Sequence, residues 1–126
     1  MDAALARTNL ALCSREVHWI GYPQGWRTIE PADIGTIVQK TGRSTGHTIG
    51  RIIAIDATID VSYSPSMTAR FQQQIITTAI SQPGDSGSLV LDRKNQIIGL
   101  LFAGSEEATV INPINLVKDL LKIELI

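Results

Sequence analysis

The sequence predicts an all-β fold, an antiparallel barrel or sandwich followed by one C-terminal helix. β-Branched residues are abundant, with 18 isoleucines and 11 threonines, and their side chains suit a pleated sheet better than a helix. Residues alternate with period two in Arg51–Asp56 and Ile59–Ser64. Turn-forming residues recur at short intervals, as in Tyr22–Gly25 and Gln82–Gly84. Short strands with frequent turns are typical of antiparallel barrels and sandwiches.

We expect eight strands, two of which are joined near residues 56–58. Their predicted ranges are Ala3–Arg7, Val17–Gly21, Asp33–Lys40, His47–Asp56, Thr58–Ser64, Ala69–Ile80, Ser88–Asp92 and Ile97–Ala103. The helix is predicted after Asn112 and Pro113, a capping side chain followed by a proline suited to the first helical position. Its expected apolar face comprises Ile114, Val117, Leu120 and Leu121.

Length, charge and cysteine content exclude several classes of protein. A chain of 126 residues predicts a single domain, 1–126. The 11 basic and 12 acidic residues leave a net charge of −1, so no nucleic acid and no anionic membrane is expected as a partner. The apolar run Ile97–Ala103 is too short to span a bilayer, and Met1 begins no recognisable signal peptide. A single cysteine, Cys13, excludes an internal disulfide and favours a reducing, cytoplasmic compartment. Two isolated histidines predict no metal site, and no cofactor is expected.

The most informative segment is Gln82–Leu91, which contains a serine between two glycines. Gly84 and Gly87 let the backbone turn sharply around Ser86, so that its hydroxyl can project from a bend while neighbouring N–H groups converge. A bend of this kind can hold a nucleophile beside an oxyanion hole. The same residues also fit an ordinary hairpin turn.

Gly84–Val90, followed by a strand that ends in Phe102–Gly104, resembles the nucleophile segment of the trypsin- and chymotrypsin-like serine peptidases. Lys40–Gly46 followed by Gly50 resembles the strand-opening segment of the bacterial, disulfide-free members, and Ile20–Gly25 resembles the turn before it. The resemblance covers nearly the whole chain but only the C-terminal half of the family. It implies a six-stranded antiparallel Greek-key β-barrel with a C-terminal α-helix.

The resemblance also implies roles for individual residues. Ser86 would be the nucleophile of peptide-bond hydrolysis through an acyl-enzyme. The N–H groups of Gly84 and Ser86 would form the oxyanion hole, and Asp85 and Gly87 would shape the loop. Asp2 begins a segment similar to the family's Asp-apolar-Ala-Leu pattern and would be the triad acid; a solvated terminus is the alternative.

No position matches the family's histidine, which comes from the first barrel, upstream of the aspartate. His18 is expected at the surface or an interface, and His47 does not lie in the family's Thr-Ala-Ala-His context. We therefore expect that the N-terminal barrel is missing from this chain. Without a general base for its serine, the isolated chain is expected to be inactive.

By position relative to the serine, two segments would line the pocket for the substrate side chain. These residues are Ile80, Ser81, Gln82, Pro83, Phe102, Ala103 and Gly104. Because Ile80 stands where an acid would favour Arg or Lys, an uncharged or apolar side chain is predicted. Glu106 and Glu107 could reach the pocket rim, although a solvated turn explains them better.

Two functions remain open. The first is a serine endopeptidase half-domain whose partners are the missing N-terminal barrel and a peptide or protein substrate. Exposure of the face that packs on that barrel would favour a homodimer. The second is a non-catalytic peptide- or protein-binding or structural barrel that retains the serine loop.

Overall fold

The computed structural model describes residues 1–125, in which six antiparallel strands close into a barrel. The strands are β1 (Ile37–Gly42), β2 (Gly46–Ser64), β3 (Met67–Thr78), β4 (Leu89–Asp92), β5 (Ile97–Gly104) and β6 (Ala108–Pro113), followed by helix α1 (Ile114–Leu121). Around the barrel their order is β1-β2-β3-β6-β5-β4, with β4 pairing back onto β1. Because β3 pairs with β6 and not with β4, the last four strands form a Greek key. The predicted all-β Greek-key barrel with a C-terminal helix is confirmed.

The barrel is filled by one apolar cluster, and α1 covers a second. The first cluster consists of Val38, Ile52, Ile75, Ile80, Val90, Ile98, Leu101 and Ile111. In the second, Ile114 and Val117 of the helix pack on Leu91 and Ile97 of the barrel. Leu120, predicted on the buried face of the helix, is exposed instead. No helix within residues 1–125 is long and apolar enough to cross a membrane.

The first two predicted strands are wrong. Residues 3–7 form no strand, and the first regular element is a 3-10 helix at Leu10–Leu12. Val17–Gly21 folds back on itself, with the N–H of each end residue donating to the carbonyl of the other. The turn is made by positive φ angles of 67° at Trp19 and 101° at Gly21. Neither segment forms a strand, because neither has a neighbouring strand on which to pair.

Other boundaries also differ from the predicted ones. Asp33 ends a second 3-10 helix, Pro31–Asp33, so β1 begins only at Ile37. The predicted strands 47–56 and 58–64 are one long strand, β2, in which Asp56 has a φ of 49° and the register with β3 shifts. Such a bulge bends a strand without ending it. β3 runs over 67–78 where 69–80 was expected.

Strand β6 was not predicted, although its run Thr109-Val110-Ile111 is β-branched throughout and could have indicated it. The predicted cap of α1 is wrong as well, because Pro113 occupies the N-cap position. The buried side chain of Asn112 instead donates to the carbonyl of Asp2 at 2.7 Å. The predicted domain 1–126 ends at Ile126, which lies outside the described residues.

Arg27 fastens the segment before β1 to the barrel. Its Nε lies 2.8 Å from Asp92 Oδ2, and its Nη1 lies 2.9 Å from Asp33 Oδ1. Asp92 is almost fully buried at the end of β4. The hydrogen bond with Asp92 raises the pKa of Arg27 above its ordinary value, because it favours the charged guanidinium.

We expect Arg27→Ala to lower the free energy of unfolding by about 1.5–3 kcal/mol, since it leaves the Asp92 carboxylate buried without its cation. Chemical denaturation monitored by circular dichroism measures this loss. The matched control is Arg70→Ala, which removes a guanidinium 2.8 Å from Asp60 at the solvent-exposed surface and should change stability little. Equal losses in the two variants would contradict the anchoring role of Arg27.

Candidate functional site

The serine loop, residues 82–88, connects β3 with β4. It turns through two glycines in left-handed conformations, Gly84 at a φ of 101° and Gly87 at 91°, which residues with side chains rarely adopt. The N–H of Gly87 donates to the carbonyl of Leu101 at 2.7 Å, and the N–H of Leu101 donates to the carbonyl of Ser88 at 3.0 Å. Two backbone hydrogen bonds therefore hold the loop to β5.

Asp85 holds the loop from inside, because its carboxylate is buried and fully hydrogen bonded. It accepts from the Ser44 N–H (2.8 Å), the Thr45 N–H (3.2 Å), the Thr45 hydroxyl (2.7 Å) and the Gln82 N–H (3.0 Å). Burial alone would raise the pKa of Asp85. Hydrogen bonds to the ionised form outweigh burial, so the pKa of Asp85 lies well below its ordinary value.

Lys40 lies beneath the loop, and our sequence reasoning gave it no role. It is fully buried, with Nζ 3.7 Å from Asp85 Oδ2 and donating to the Thr45 hydroxyl and, at 2.9 Å, to the Gly46 carbonyl. Burial lowers the pKa of Lys40, and the neighbouring carboxylate opposes that shift only partly. The signal that could have indicated this position is its spacing of two residues from Val38, which places both on the inner face of β1.

The loop exposes the groups that the sequence singled out. Within residues 1–125, the backbone N–H groups of Gly84 and Ser86 donate to no protein acceptor. The Ser86 hydroxyl donates to the Phe102 carbonyl at 3.3 Å. A Cβ at Gly84 would lie 2.2 Å from Ser44 Oγ, so the loop packs directly on the β1–β2 turn. Stabilisation of an oxyanion would require two such donors, without a protein acceptor, beside a hydroxyl.

A cavity of about 810 Å³ opens beside Ser86. Of the seven predicted pocket residues, Ile80, Ser81, Gln82, Pro83, Ala103 and Gly104 line it. Phe102 does not, because alternation along β5 turns its ring onto Phe71, 5.0 Å away between centroids. Thr45, Thr48 and Glu106 also line the cavity, and sequence reasoning had not placed the two threonines there.

Asp2 and the histidines lie apart from the serine loop's hydrogen bonds. Asp2 Oδ2 accepts from the Tyr63 hydroxyl at 2.6 Å, whereas its Oδ1 takes no hydrogen bond from residues 1–125. His47 Nε2 pairs with Gln39 Oε1 at 3.1 Å, and the His18 carbonyl accepts from the Thr41 hydroxyl. Neither histidine lines the cavity. In the part of the chain that is described, no cluster of three or more His, Cys, Asp or Glu side chains could hold a metal ion.

The sequence matches the family model of peptidase S7, the flavivirus NS3 serine protease, over residues 70–117, which is less than half of the chain. This segment includes the whole serine loop. No curated protein sequence is significantly similar to the chain.

Several solved bacterial proteases share the fold. The chain is 28% identical to the chymotrypsin of Cellulomonas bogoriensis, covering 81% of this chain and 54% of that one with a TM-score of 0.66. It is 24% identical to Thermobifida fusca protease A, where the match covers 83% of this chain and 54% of that one with a TM-score of 0.68. It is also 24% identical to the Nocardiopsis protease NAPase, where the match covers 80% of this chain and 52% of that one with a TM-score of 0.65. The chain thus spans about half the length of the proteases it matches.

The depressed pKa of Asp85 predicts acid sensitivity. Its ionised form stabilises the fold fully above the pKa of an unfolded aspartate, about 3.9, and that stability is lost as the pH falls towards the lower pKa of the folded state. Between these values the free energy of unfolding should fall by up to about 1.4 kcal/mol per pH unit for this proton. Denaturation curves between pH 2 and 7 measure how the free energy of unfolding changes with pH. The difference between the slopes of the unmodified chain and of Asp85→Asn isolates the contribution of Asp85.

The Asp85→Asn variant should also lose about 3–5 kcal/mol at pH 7, because Lys40 stays buried without its counter-charge. A double variant, Asp85→Asn with Lys40→Met, should recover part of the loss, since removing both charges avoids the unpaired ammonium. A double variant as unstable as the single one would contradict the electrostatic explanation.

The Asp2 contact raises the pKa of Tyr63 to about 12, because the hydroxyl keeps the proton that it donates to the carboxylate. In Tyr22→Phe, which leaves Tyr63 as the one tyrosine, absorbance at 295 nm should titrate near that value. Adding Asp2→Asn should lower the pKa towards about 10, whereas Asp60→Asn on the same hairpin should not. An unchanged pKa in the Asp2 variant would show that this contact does not form in solution.

The fold is thus shared with the bacterial enzymes. It carries the barrel, the serine loop held by Asp85 and the cavity beside Ser86. The chain has the fold of a trypsin-like serine peptidase domain and resembles the C-terminal barrel of the bacterial chymotrypsin-like proteases.

Proposed function

We propose that this chain is the serine-bearing half of a serine endopeptidase active site, with Ser86 as the nucleophile. The observation that carries the proposal is the pair of N–H groups, of Gly84 and Ser86, that have no acceptor within residues 1–125, in a loop that Asp85 holds beside a cavity. Donors held in place before the reaction stabilise the oxyanion of a tetrahedral intermediate without reorganisation. The matches to bacterial proteases support the same assignment.

The general base that would activate Ser86 is not among the residues hydrogen bonded to its hydroxyl. Its hydroxyl donates to the Phe102 carbonyl, and His18 and His47 have no hydrogen bond to it. A hydroxyl is a poor nucleophile unless a base removes its proton. The proposed arrangement therefore takes its histidine from an N-terminal barrel, and the chain tested alone is inactive.

Asp2 is proposed as the triad acid that orients this histidine. Its Oδ1 takes no hydrogen bond from residues 1–125 and could accept from an imidazole, while Oδ2 keeps the hydroxyl of Tyr63. The N-terminal segment is held by Asn112, which donates to the Asp2 carbonyl and accepts from its N–H at 3.3 Å. Asp2 is thus anchored to the barrel by its backbone, which leaves one carboxylate oxygen available.

The alternative is a non-catalytic peptide- or protein-binding or structural barrel. The hydrogen bond from Ser86 to the Phe102 carbonyl favours it, because the hydroxyl is then satisfied within the barrel. In that case the serine would fasten the loop to β5, and the cavity would bind a peptide without cleaving it.

Labelling with a fluorophosphonate, read by intact mass, tests the proposal. The chain alone should not react. A fusion that adds the N-terminal barrel of the Cellulomonas bogoriensis chymotrypsin should be labelled at Ser86. Its rate of labelling should exceed that of Ser86→Ala in the same fusion by a factor of at least about 10³, because triad members supply rate enhancements of this order.

Labelling of the isolated chain that disappears in Ser86→Ala would contradict the requirement for an external histidine. Labelling that persists in Ser86→Ala would contradict the proposal that Ser86 is the nucleophile. A correctly folded fusion that stays unlabelled would favour the binding or structural barrel.

A further inference from the structure

The outer face of strands β1 and β2 carries isoleucines around one arginine, Arg51. Ile37 lies opposite Arg51 in the ladder between the two strands. Ile49 and Ile53 lie two residues before and two residues after Arg51 along β2. Because alternate residues of a strand share a face, these side chains lie next to one another on the outside of the barrel.

The segment before β1 adds a fourth isoleucine and fixes the arginine. Gly35, the residue after Ile34, donates its N–H to the Ile52 carbonyl at 2.8 Å. The carbonyl of Gly35 accepts from Arg51 Nη1 at 3.0 Å, so the guanidinium is held beside Ile34. We call this surface the isoleucine face, which consists of Ile34, Ile37, Ile49, Arg51 and Ile53.

The isoleucine face is open to solvent. The exposed fraction is 53% for Ile34, 63% for Ile49 and 48% for Ile53. Ile37 and Ile49 also line a groove of about 380 Å³, together with Gln39 and Arg93. Exposed apolar side chains that lie together, and are not scattered singly, are typical of surfaces that bind another molecule.

The charged groups of this face are all basic. Arg51 lies among the isoleucines, and Arg93 lines the groove. Neither arginine forms an ion pair within residues 1–125. The other outward-facing residues of the two strands are Gln39, Thr41 and His47, so this face has no carboxylate of its own. A complementary surface would therefore combine apolar side chains with a negative charge.

Two other occupants fit this face poorly. A second copy of the chain, docked through the same face about a two-fold axis, would bring two copies of Arg51 together. An N-terminal barrel would join the chain at Asp2, which is held by Asn112 of β6. In the order of strands around the barrel, β6 lies opposite β1, so that barrel would adjoin the other side.

We propose that the isoleucine face is a docking site for an extended segment of another protein, in which apolar residues flank an acidic one at alternate positions. The carboxylate pairs with Arg51, and the apolar side chains cover Ile49 and Ile53. An extended segment matches this pattern because its alternate side chains have the same spacing as those of β2. The proposal needs no catalysis, since none of the isoleucines on this face lines the cavity beside Ser86.

Three synthetic peptides test the charge preference. The first is acetyl-Leu-Ser-Glu-Ser-Leu-amide, and in the other two Gln or Lys replaces Glu. In a ¹⁵N-labelled sample of the full chain, we expect the Glu peptide to shift the amides of Ile49, Arg51 and Ile53. It should bind about threefold to fivefold tighter than the Gln peptide, as a partly exposed ion pair allows. The Lys peptide should bind more weakly than the Gln peptide.

Variants of Arg51 test whether this residue provides the preference. Arg51→Gln should bind the Glu and Gln peptides equally, whereas Arg51→Lys should keep the preference because it keeps the charge. The matched control is Arg70→Gln, which removes an exposed guanidinium on the β2–β3 hairpin and should leave the preference unchanged. A preference that survives Arg51→Gln, or equal affinity of the unmodified chain for the Glu and Gln peptides, would overturn the proposal.

Ile49→Ser tests the apolar contribution and should weaken binding of all three peptides. The control is Met67→Ser, because Met67 is about equally exposed, at 61%, but lies at the start of β3. Equal effects of these two variants, or amide shifts confined to other parts of the chain, would contradict docking on this face. A dimer, seen by sedimentation, that Ile49→Ser dissociates and Met67→Ser does not would assign the face to a second copy and overturn the proposal.

Discussion

The buried carboxylate of Asp85 is the interaction on which the site depends. A carboxylate removed from water is stable only when hydrogen bonds and counter-charge replace its hydration. Here the donors come from the β1–β2 turn and from Gln82, and Lys40 supplies the counter-charge. The ion pair thus joins two residues that are 45 positions apart in the chain, Lys40 and Asp85, and the exposed amides of the loop take their positions from it.

Closure of the barrel brings these groups together. β4 pairs with β1, with Lys40 opposite Val90, so the loop that precedes β4 reaches the end of β1. Gly42 permits the contact, since a Cβ there would lie 2.3 Å from Asp85 Oδ1 and 2.9 Å from the Ser88 hydroxyl. The fold and the site are therefore coupled. A change that opened the seam between β1 and β4 would also release the serine loop.

Polar groups at this end of the barrel serve different purposes because their surroundings differ. The carboxylate of Asp85 is enclosed and gives the loop its shape. The backbone N–H groups of Gly84 and Ser86 have no acceptor within residues 1–125 and are available to a ligand. This division between an enclosed carboxylate that holds the loop and exposed donors beside Ser86 is the reason for assigning a function to this end.

Local sequence patterns predicted the fold class, most strands after residue 37, the helix and the sharp loop around Ser86, because period-two alternation, β-branched residues and glycines act locally. They failed for residues 3–7 and 17–21, which have no partner strand, and for β6. The position of Lys40 under Asp85 and the turn of Phe102 away from the cavity became evident only in the folded barrel. These positions depend on which strands meet when the barrel closes, and contacts between residues distant in sequence leave no local pattern.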